Sequence, residues 1–517
     1  MDKFNDILKQ EIDDFRNLGH RFLKKEISVG DFKGKSGGMG VYAQRGGEKF
    51  MIRLRTNSGI LPLEHLKLIT TFLDRYNIPR LHLTTRQAIQ LHDLGIDDVC
   101  DIMSESIDHN LYTRGGGGNF PRNVSLSVMS GVEKGEYFDV TPFAHEVSRY
   151  LMGQITTYKL PRKLKIAFSS SDRDDSNATL NDLGFMATVK DGQPFFRLFI
   201  AGGLGGNPAP SLHYDKLVEP KDILYHVEAM TQLFMAEGDY QNKAKARTRY
   251  IPRRMGVEAF FECYEKHLAE VKAKLNLDVN IPVELSTTLE KYNHTLKEDS
   301  CIIPQRQDNL YSMVLHPLNG QLLSTTFKTL VEFLDRNPNC EARLSMNENI
   351  YVRNLTEEQI KELLELTKEV RMANKVQQSV SCIGVPTCQM GIEQSQKLLS
   401  NILSYLKENN IPEEYIPSIH ISGCQNSCAR HQVNEIGFAG GKRKVGDALE
   451  GVFDLYVGGI FSREKTMLGE KIGTIIDRDI PKFIGDLGVK LAEEKISFRS
   501  FLERKEEFLE IVKPYLI

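Results

Sequence analysis

Phe72-Leu73-Asp74-Arg75 occurs a second time in the chain, as Phe333-Leu334-Asp335-Arg336. The two copies belong to a longer ungapped match at an offset of 261 residues, in which residues 59–94 fall on 320–355 with ten identical positions. A repeat with so long a period indicates two related domains rather than a solenoid. The duplication predicts two structurally similar units in one chain, and the elements within each unit then indicate the fold class.

Each copy of the repeat predicts one helix followed by two short strands. In the first copy, apolar spacing places the helix at 63–76 and the strands at 81–83 and 89–91. The second copy has the same order of elements, with a helix that ends at Arg336.

The polar corner between the two strands differs between the copies. Thr84-Thr85-Arg86-Gln87 in the first copy becomes Ser345-Met346-Asn347-Glu348 in the second, so only the first keeps a cation. A duplication without functional asymmetry is the plainer interpretation. The unequal corners favour one active site shared across a pseudo-two-fold axis.

An α/β stretch follows each repeat unit, and strand candidates at 164–168, 195–200 and 452–457 alternate with helical stretches. This order predicts an internally duplicated α+β (α/β) fold. We expect an N-terminal helix and first half-domain at 1–114, a first α/β domain at 115–275, a polar, helix-prone connector at 276–305, a second half-domain at 306–374 and a second α/β domain at 375–517.

The composition excludes several classes of protein. The 517 residues are 41% hydrophobic and 26% charged, which is ordinary for a globular chain and excludes a fibrous or disordered one. Lys and Arg number 66 against 69 Asp and Glu, so no charge excess points to nucleic acid. No apolar run is long enough to predict a membrane span, and the first residues show no secretion signal. We therefore expect a cytoplasmic protein.

Four of the eight cysteines are clustered. Cys382 and Cys388 are separated by five residues, and Cys424 and Cys428 by three. Four thiolates from two loops can hold a zinc ion or a [4Fe–4S] cluster. The five-residue spacing fits zinc poorly and favours iron–sulfur, while zinc and unligated thiols remain alternatives. On a helix, Cys424 and Cys428 would share one face.

The segments Cys382-Ile-Gly-Val-Pro-Thr-Cys388 and Gly423-Cys424-Gln-Asn-Ser-Cys428 resemble the signature of the nitrite and sulfite reductases that contain sirohaem and a [4Fe–4S] cluster. The resemblance extends over about residues 40–504 and matches the two repeats to the family's ferredoxin-like half-domains. It implies that Cys428 also bridges the cluster to the sirohaem iron. One departure is Gln425, where relatives commonly have proline.

Cationic and polar residues recur in the first half of the chain. Arg53-Leu54-Arg55 reads as a strand, and Lys163 and Lys165 would share one face of another strand. Taken singly, each such cation is more often a solvated residue than a ligand. The resemblance implies specific roles in a binding pocket. Arg55, Arg122, Lys163 and Lys165 would surround the open face of the sirohaem iron, and Arg86, Gln90, His92 and Asn426 would contact the sirohaem.

The run Lys243-Ala-Lys245-Ala-Arg247-Thr-Arg249-Tyr-Ile-Pro-Arg253-Arg254 holds six cations and no acid. A solvated face is one interpretation. By resemblance, sirohaem carboxylates or an acidic electron donor are its candidate partners, whereas no nucleic-acid-binding motif accompanies the run.

The glycines at 202–206 precede Pro208 and Pro210, which prevent the helix of a dinucleotide fold. We therefore expect electrons from ferredoxin or another small donor protein.

The resemblance implies an enzyme that reduces sulfite to sulfide by six electrons, at a sirohaem coupled to a [4Fe–4S] cluster. Reduction of nitrite to ammonia is the alternative. The choice rests on Lys163-x-Lys165, which resembles assimilatory sulfite reductases, since nitrite reductases usually have Asn at the second position. A zinc-stabilised binding protein with an inactive reductase fold is a remote alternative.

Overall fold

The computed structural model describes residues 2–286, 294–461 and 466–517. The helices are α1 (Asp2–Leu23), α2 (Val29–Ser36), α3 (Leu63–Arg75), α4 (Ile96–Asp108), α5 (Thr141–Gly153), α6 (Ile223–Glu237), α7 (Tyr250–Met255), α8 (Val257–Lys274), α9 (Ser324–Arg336), α10 (Glu357–Leu366), α11 (Ser395–Glu408), α12 (Ile480–Glu494), α13 (Phe498–Leu502) and α14 (Lys505–Val512). The strands are β1 (Val41–Ala43), β2 (Phe50–Arg55), β3 (Ile60–Leu61), β4 (Arg80–Leu83), β5 (Ala88–Leu94), β6 (Ser125–Leu126), β7 (Ile166–Ser169), β8 (Leu183–Lys190), β9 (Gln193–Ile200), β10 (Leu212–Val218), β11 (Ile302–Pro304), β12 (Tyr311–Leu315), β13 (Gln321–Leu323), β14 (Glu341–Leu344), β15 (Ile350–Leu355), β16 (Val380–Ser381), β17 (Ile419–Ser422), β18 (Ile436–Val445), β19 (Ala448–Val457) and β20 (Glu470–Ile476).

The two copies of the repeat form two antiparallel sheets that exchange a strand. The first sheet has the order β1-β2-β5-β4-β13 and the second β11-β12-β15-β14-β3. Strand β13 of the second copy pairs with β4 of the first, with Leu322 opposite Leu81. Strand β3 of the first copy pairs in turn with β14 of the second, with Leu61 opposite Ala342. Each half-domain is therefore completed by the other.

The pseudo-two-fold relation also appears at the surface, in the ion pairs between helices α3 and α9. Lys67 Nζ lies 2.7 Å from Asp335 Oδ1, and Lys328 pairs with Asp74 in the reciprocal contact. These four residues occupy equivalent positions at the repeat offset. Beneath them, the apolar faces of both helices enter one core shared by the two sheets. The internal duplication predicted from the sequence is thus confirmed as two packed, related units.

The two α/β stretches form a second pair of related sheets. In one, β6, β7 and β8 are parallel and β9 and β10 continue antiparallel; in the other, β16, β17 and β18 are parallel and β19 and β20 continue antiparallel. Each sheet packs against helices, and its own apolar core lies between the sheet and those helices. The carboxyl ends of the parallel strands are where the chain leaves the sheet in loops, and these loops carry the site.

The connector differs from the prediction. Helix α8 ends at Lys274, and the described residues 275–286 and 294–301 contain no helix. Leu275 is extended, which ends helix α8, and Pro282 lies in the following stretch. The rest of the connector, 287–293, lies outside the described residues.

No helix in the described part of the chain is both long and apolar enough to cross a membrane.

Candidate active site

Two loops bring the four clustered cysteines to the carboxyl ends of β16 and β17. Cys382 follows β16 directly, and its N–H donates to the carbonyl of Ile421 at 3.0 Å. The N–H of Gly423 donates to Cys382 Sγ at 3.1 Å, so the two loops meet at a sulfur atom. Gly384 has φ +50, and a Cβ there would lie 2.4 Å from Ser395 Oγ. The first loop therefore requires glycine at this position.

Cys424 and Cys428 lie in a loop of turns, so the shared helix face that their spacing would allow is not formed. Ser427 between them has φ 55, a left-handed conformation that an α-helix does not contain. The loop is contacted by the first half-domain, because Thr85 Oγ1 donates to the carbonyl of Cys428 at 2.8 Å. Thr85 belongs to the corner that distinguishes the two repeats, so that corner contacts the backbone of the cysteine loop.

The thiols interact electrostatically with one another. Burial, followed by the Cys428 sulfur, raises the pKa of Cys382 to about 12. Burial also raises the pKa of Cys388 and of Cys424, and Cys428 adds to both shifts. All three sulfurs are thus within electrostatic range of Cys428. A metal centre that binds them must displace protons that the buried thiols hold tightly.

The same four thiols are not arranged for a single metal ion. Among the residues that the structure describes, no three Cys, His, Asp or Glu side chains are grouped closely enough to hold one. A tetrahedral zinc site requires four ligand atoms about 2.0–2.3 Å from one ion. The described residues therefore do not form such a zinc site in this structure.

Arg55, Arg122, Lys163 and Lys165 gather at one place, although they come from three chain segments. Arg55 Nη1 donates to the carbonyl of Pro121 at 3.2 Å, and the N–H of Arg122 donates to the carbonyl of Leu164 at 2.9 Å. Leu164 separates the two lysines, which lie in an extended segment just before β7 and not within it. The predicted strand therefore starts later, but the extended backbone keeps both lysines on one side.

Burial and mutual repulsion disfavour the charged form of these groups. Burial lowers the pKa of Arg55 to about 10 and that of Arg122 to about 9. The pKa of Lys163 is lowered to about 7 by burial and by the neighbouring Arg247 and Arg122, while the Cys428 sulfur opposes the shift. The pKa of Lys165 is lowered well below its ordinary value, chiefly by burial and then by Lys163. Such a cluster favours the binding of anions, which would relieve the repulsion.

Asp182 is a residue of this cluster that the sequence did not single out. It is completely buried and lies 2.9 Å from Arg247 Nη2, and its Oδ2 accepts from the N–H of Lys165 at 2.8 Å. Thr248 donates a further hydrogen bond to it. Nothing in the local sequence marks Asp182, because its partners are more than fifteen residues away along the chain.

The four residues that the resemblance assigned to sirohaem contact have different environments. Arg86 donates to Asn123 O, Asn181 Oδ1 and Ile166 O at 3.1, 3.0 and 2.8 Å, so protein acceptors occupy its guanidinium. With its amide oriented to satisfy both neighbours, Gln90 accepts from Arg53 Nη2 at 2.6 Å and donates to His92 Nε2 at 3.2 Å. Burial lowers the pKa of His92 to about 4, which keeps the ring neutral. Asn426 is exposed on the cysteine loop, where its hydrogen bonds favour the Cys424 thiolate.

The basic run supplies two further arginines. Residues 243–249 lie in turns and bends, and α7 begins at Tyr250. Arg247 pairs with Asp182, whereas buried Arg249 has an Nη1 atom with no hydrogen-bond partner among the described residues. An orphaned guanidinium donor in a cationic cluster suits a carboxylate ligand. Arg249 therefore fits a bound group that carries a carboxylate, as sirohaem does.

The glycines at 115–118 allow close packing beside the cations. Gly115 has φ +78, and a Cβ there would lie 2.4 Å from Arg55 Nη1. Arg122 Nη1 and Nη2 donate to the carbonyls of Gly117 and Gly118 at 2.6 and 2.8 Å. The glycine run thus orients Arg122 and leaves space for Arg55.

Two family models match the chain. The model described as the nitrite and sulphite reductase 4Fe-4S domain matches residues 117–272 and 372–487. The model described as the nitrite/sulfite reductase ferredoxin-like half domain matches residues 42–107 and 303–370. These matches cover well over half of the sequence, so the chain belongs to the nitrite and sulfite reductase family. It is an oxidoreductase of the type that uses sirohaem and a [4Fe–4S] cluster.

Individual relatives carry both substrate names. The chain is 28% identical over 458 residues to the ferredoxin–nitrite reductase of Synechococcus elongatus, covering 85% of each protein. It is 24% identical over 495 residues to sulfite reductase [ferredoxin] 1 of Mycolicibacterium paratuberculosis, covering 89% of this chain and 86% of the relative. The solved structure of the Mycobacterium tuberculosis NirA protein superposes with a TM-score of 0.79 at 21% identity, covering 97% of this chain and 96% of that one. That likeness shows the shared α+β fold.

Proposed function

We propose that this chain reduces sulfite to sulfide, with electrons from ferredoxin or another small donor protein. The balanced reaction consumes six electrons and seven protons per sulfite and gives hydrosulfide and three waters. The observation that carries the proposal is the pair Lys163 and Lys165, which stand on either side of Leu164 beside Arg122. Two ammonium groups and two guanidinium groups in one cluster suit a dianion with three oxygens.

The proposed cluster ligands are Cys382, Cys388, Cys424 and Cys428, with Cys428 shared with the sirohaem iron. When bound, the sirohaem and the cluster supply the electrons for the reduction. Arg249, which keeps an orphaned donor, would bind a sirohaem carboxylate. Gln90 and His92, which are linked to Arg53, would line the cofactor cavity together with Asn426, whereas Arg86 would act mainly by holding the segments of the site together.

The chain's own contribution to the chemistry is position, charge and protons. Arg55 and Arg122 are fixed by carbonyl acceptors and would orient the oxyanion without rearranging. Each departing oxygen takes up protons as it leaves as water, and Lys163, whose pKa is about 7, can donate one near neutral pH. Lys165 lies next to it and would stabilise the charge of the anion.

An external donor is supported by the sequence and by the relatives. Neither a nucleotide-binding motif nor a further four-cysteine run is present in the sequence. The cyanobacterial and mycobacterial relatives are both named for ferredoxin. We therefore propose a ferredoxin-type protein as the electron donor.

Nitrite reduction is the second candidate. It is favoured by the 28% identity to the Synechococcus elongatus protein, which is named a ferredoxin–nitrite reductase. That reaction also consumes six electrons, and it releases ammonium and two waters. The same residues would serve both anions, so the sequence difference at Lys165 carries the choice.

The test is a comparison of kcat/KM for sulfite and nitrite, measured with one artificial electron donor on the purified holoenzyme. We expect sulfite to be preferred. A severalfold preference for nitrite would contradict the sulfite assignment and support the second candidate. Cys382→Ser serves as the control without cluster, and it should reduce neither anion.

A further inference from the structure

A carboxylate on the sheet beneath the second cysteine loop holds that loop in place. Gln425, which lies between Cys424 and Cys428, donates from Nε2 to Asp454 Oδ2 at 3.1 Å. Asp454 stands on β19 opposite Thr474 of β20, and Thr474 Oγ1 donates to its Oδ1 at 2.7 Å. Lys471 Nζ lies 2.8 Å from Oδ2. Thr474 and Lys471 therefore hold the Asp454 carboxylate from the sheet side, and the carboxylate also accepts the hydrogen bond from Gln425 of the loop.

The loop itself is conformationally costly. Ser427 holds a left-handed φ of 55, which is unfavourable for a residue with a Cβ, and its buried hydroxyl has no partner among the described residues. Side chains bind the loop from two sides. Thr85 of the first half-domain donates to the Cys428 carbonyl at 2.8 Å, and Asp454 accepts from Gln425. Such a loop keeps its shape because its surroundings determine it.

We propose that the hydrogen bond between Gln425 and Asp454 is a latch that positions Cys424 and Cys428 for the metal cluster. Gln425 is a positioning residue that acts through the loop, not through the substrate. The bond joins an amide donor to a carboxylate, and hydrogen bonds of this charge-assisted kind are about twice as strong as neutral ones. Because Asp454 also binds Lys471, which is half-exposed, the latch links the thiolate loop to the protein surface.

The first experiment measures the rate at which the holoenzyme loses iron to a ferrous-iron chelator. Gln425→Leu removes the donor and keeps a side chain of similar length, and we expect iron release to be about tenfold faster. Thr474→Val is the matched control, since it removes another donor to the same carboxylate but does not touch the loop. Its release rate should stay within about twofold of wild type, because Lys471 still holds the carboxylate and the bond from Gln425 to Asp454 remains.

A reciprocal exchange separates the latch from general damage to the fold. Gln425→Glu alone places two carboxylates together and should release iron faster than Gln425→Leu. Adding Asp454→Asn restores one amide and one carboxylate, with donor and acceptor exchanged, and should slow release again. The electron paramagnetic resonance spectrum of the reduced cluster should change in Gln425→Glu and return towards wild type in the double variant.

Three results would overturn the proposal: a wild-type release rate in Gln425→Leu, an equal acceleration in Thr474→Val, or no recovery in the double variant. If Gln425→Leu fails to assemble its cluster, the comparison between Gln425→Glu and the double variant decides by iron content. The outcome does not depend on whether the enzyme prefers sulfite or nitrite.

Discussion

Replacing Lys165 with asparagine tests which anion the site is built to bind. Lys165 lies in the cationic cluster beside Lys163 and Arg86, and burial with like charges holds its pKa well below the ordinary value. A bound dianion would restore its proton and gain a charge-assisted hydrogen bond. Asparagine keeps a donor but removes the charge and shortens the side chain.

The expected magnitude follows from the charge of the anion. A hydrogen bond to a charged group contributes about 1.5–3 kcal/mol, and we take this as the loss for sulfite. Nitrite has half the charge of the sulfite dianion, so we take about half that loss, because Coulomb energy scales with charge. The difference of about 0.7–1.5 kcal/mol corresponds to a shift of about three- to tenfold in the ratio of kcat/KM towards nitrite.

The assay measures kcat/KM for both anions in wild type and Lys165→Asn, with the same artificial donor and with iron content checked for each preparation. Lys159→Asn is the control, because Lys159 is an exposed lysine six residues earlier in the chain. It should leave the ratio unchanged. If the ratio in Lys165→Asn equals that of wild type, then Lys165 does not determine specificity and the electrostatic reasoning fails.

Three further predictions concern the cluster, the anion site and pH. Cys382→Ser should lack the cluster and lose solubility, because metal binding contributes folding free energy. If assays of this variant find a full complement of iron and acid-labile sulfide, Cys382 is not a cluster ligand. Arg122→Ala should keep its iron but lose about ten- to a hundredfold in kcat/KM, as expected for one charge-assisted donor, and unchanged kinetics with both anions would remove Arg122 from the anion site. In the cofactor-free protein, Lys163 has a pKa of about 7 against an ordinary 10.5, so between these values the unfolded chain binds more protons and stability should rise with pH. Chemical denaturation at pH 7.5 and 9.5 should show this rise, and Lys163→Met should show a smaller one; equal slopes would mean that Lys163 is not buried as described.

The relation between sequence and local structure is close in the repeat units. Helix α3 and strands β4 and β5 lie where the apolar spacing predicts them, and α9, β14 and β15 follow at the same offset. The α+β duplication was therefore predicted correctly from the sequence. The cysteine spacing likewise indicated an iron–sulfur centre, and the family match supports that cofactor. The spacing of Cys424 and Cys428 is compatible with a helix, but the structure places them in turns, because spacing alone does not reveal the left-handed Ser427.

Local periodicity, turn chemistry and cysteine spacing are properties of neighbouring residues, so the sequence by itself determined the repeat, its helices and strands, and the set of thiols. Long-range pairing has no such local signal. The exchange of β3 and β13 between the half-domains uses ordinary backbone hydrogen bonds, which any extended segment can form. In the same way, Asp182 becomes the partner of Arg247, and Asp454 the acceptor of Gln425, only when distant segments pack together. Tertiary structure alone decided these contacts, because burial and charge are set by what surrounds a residue in space.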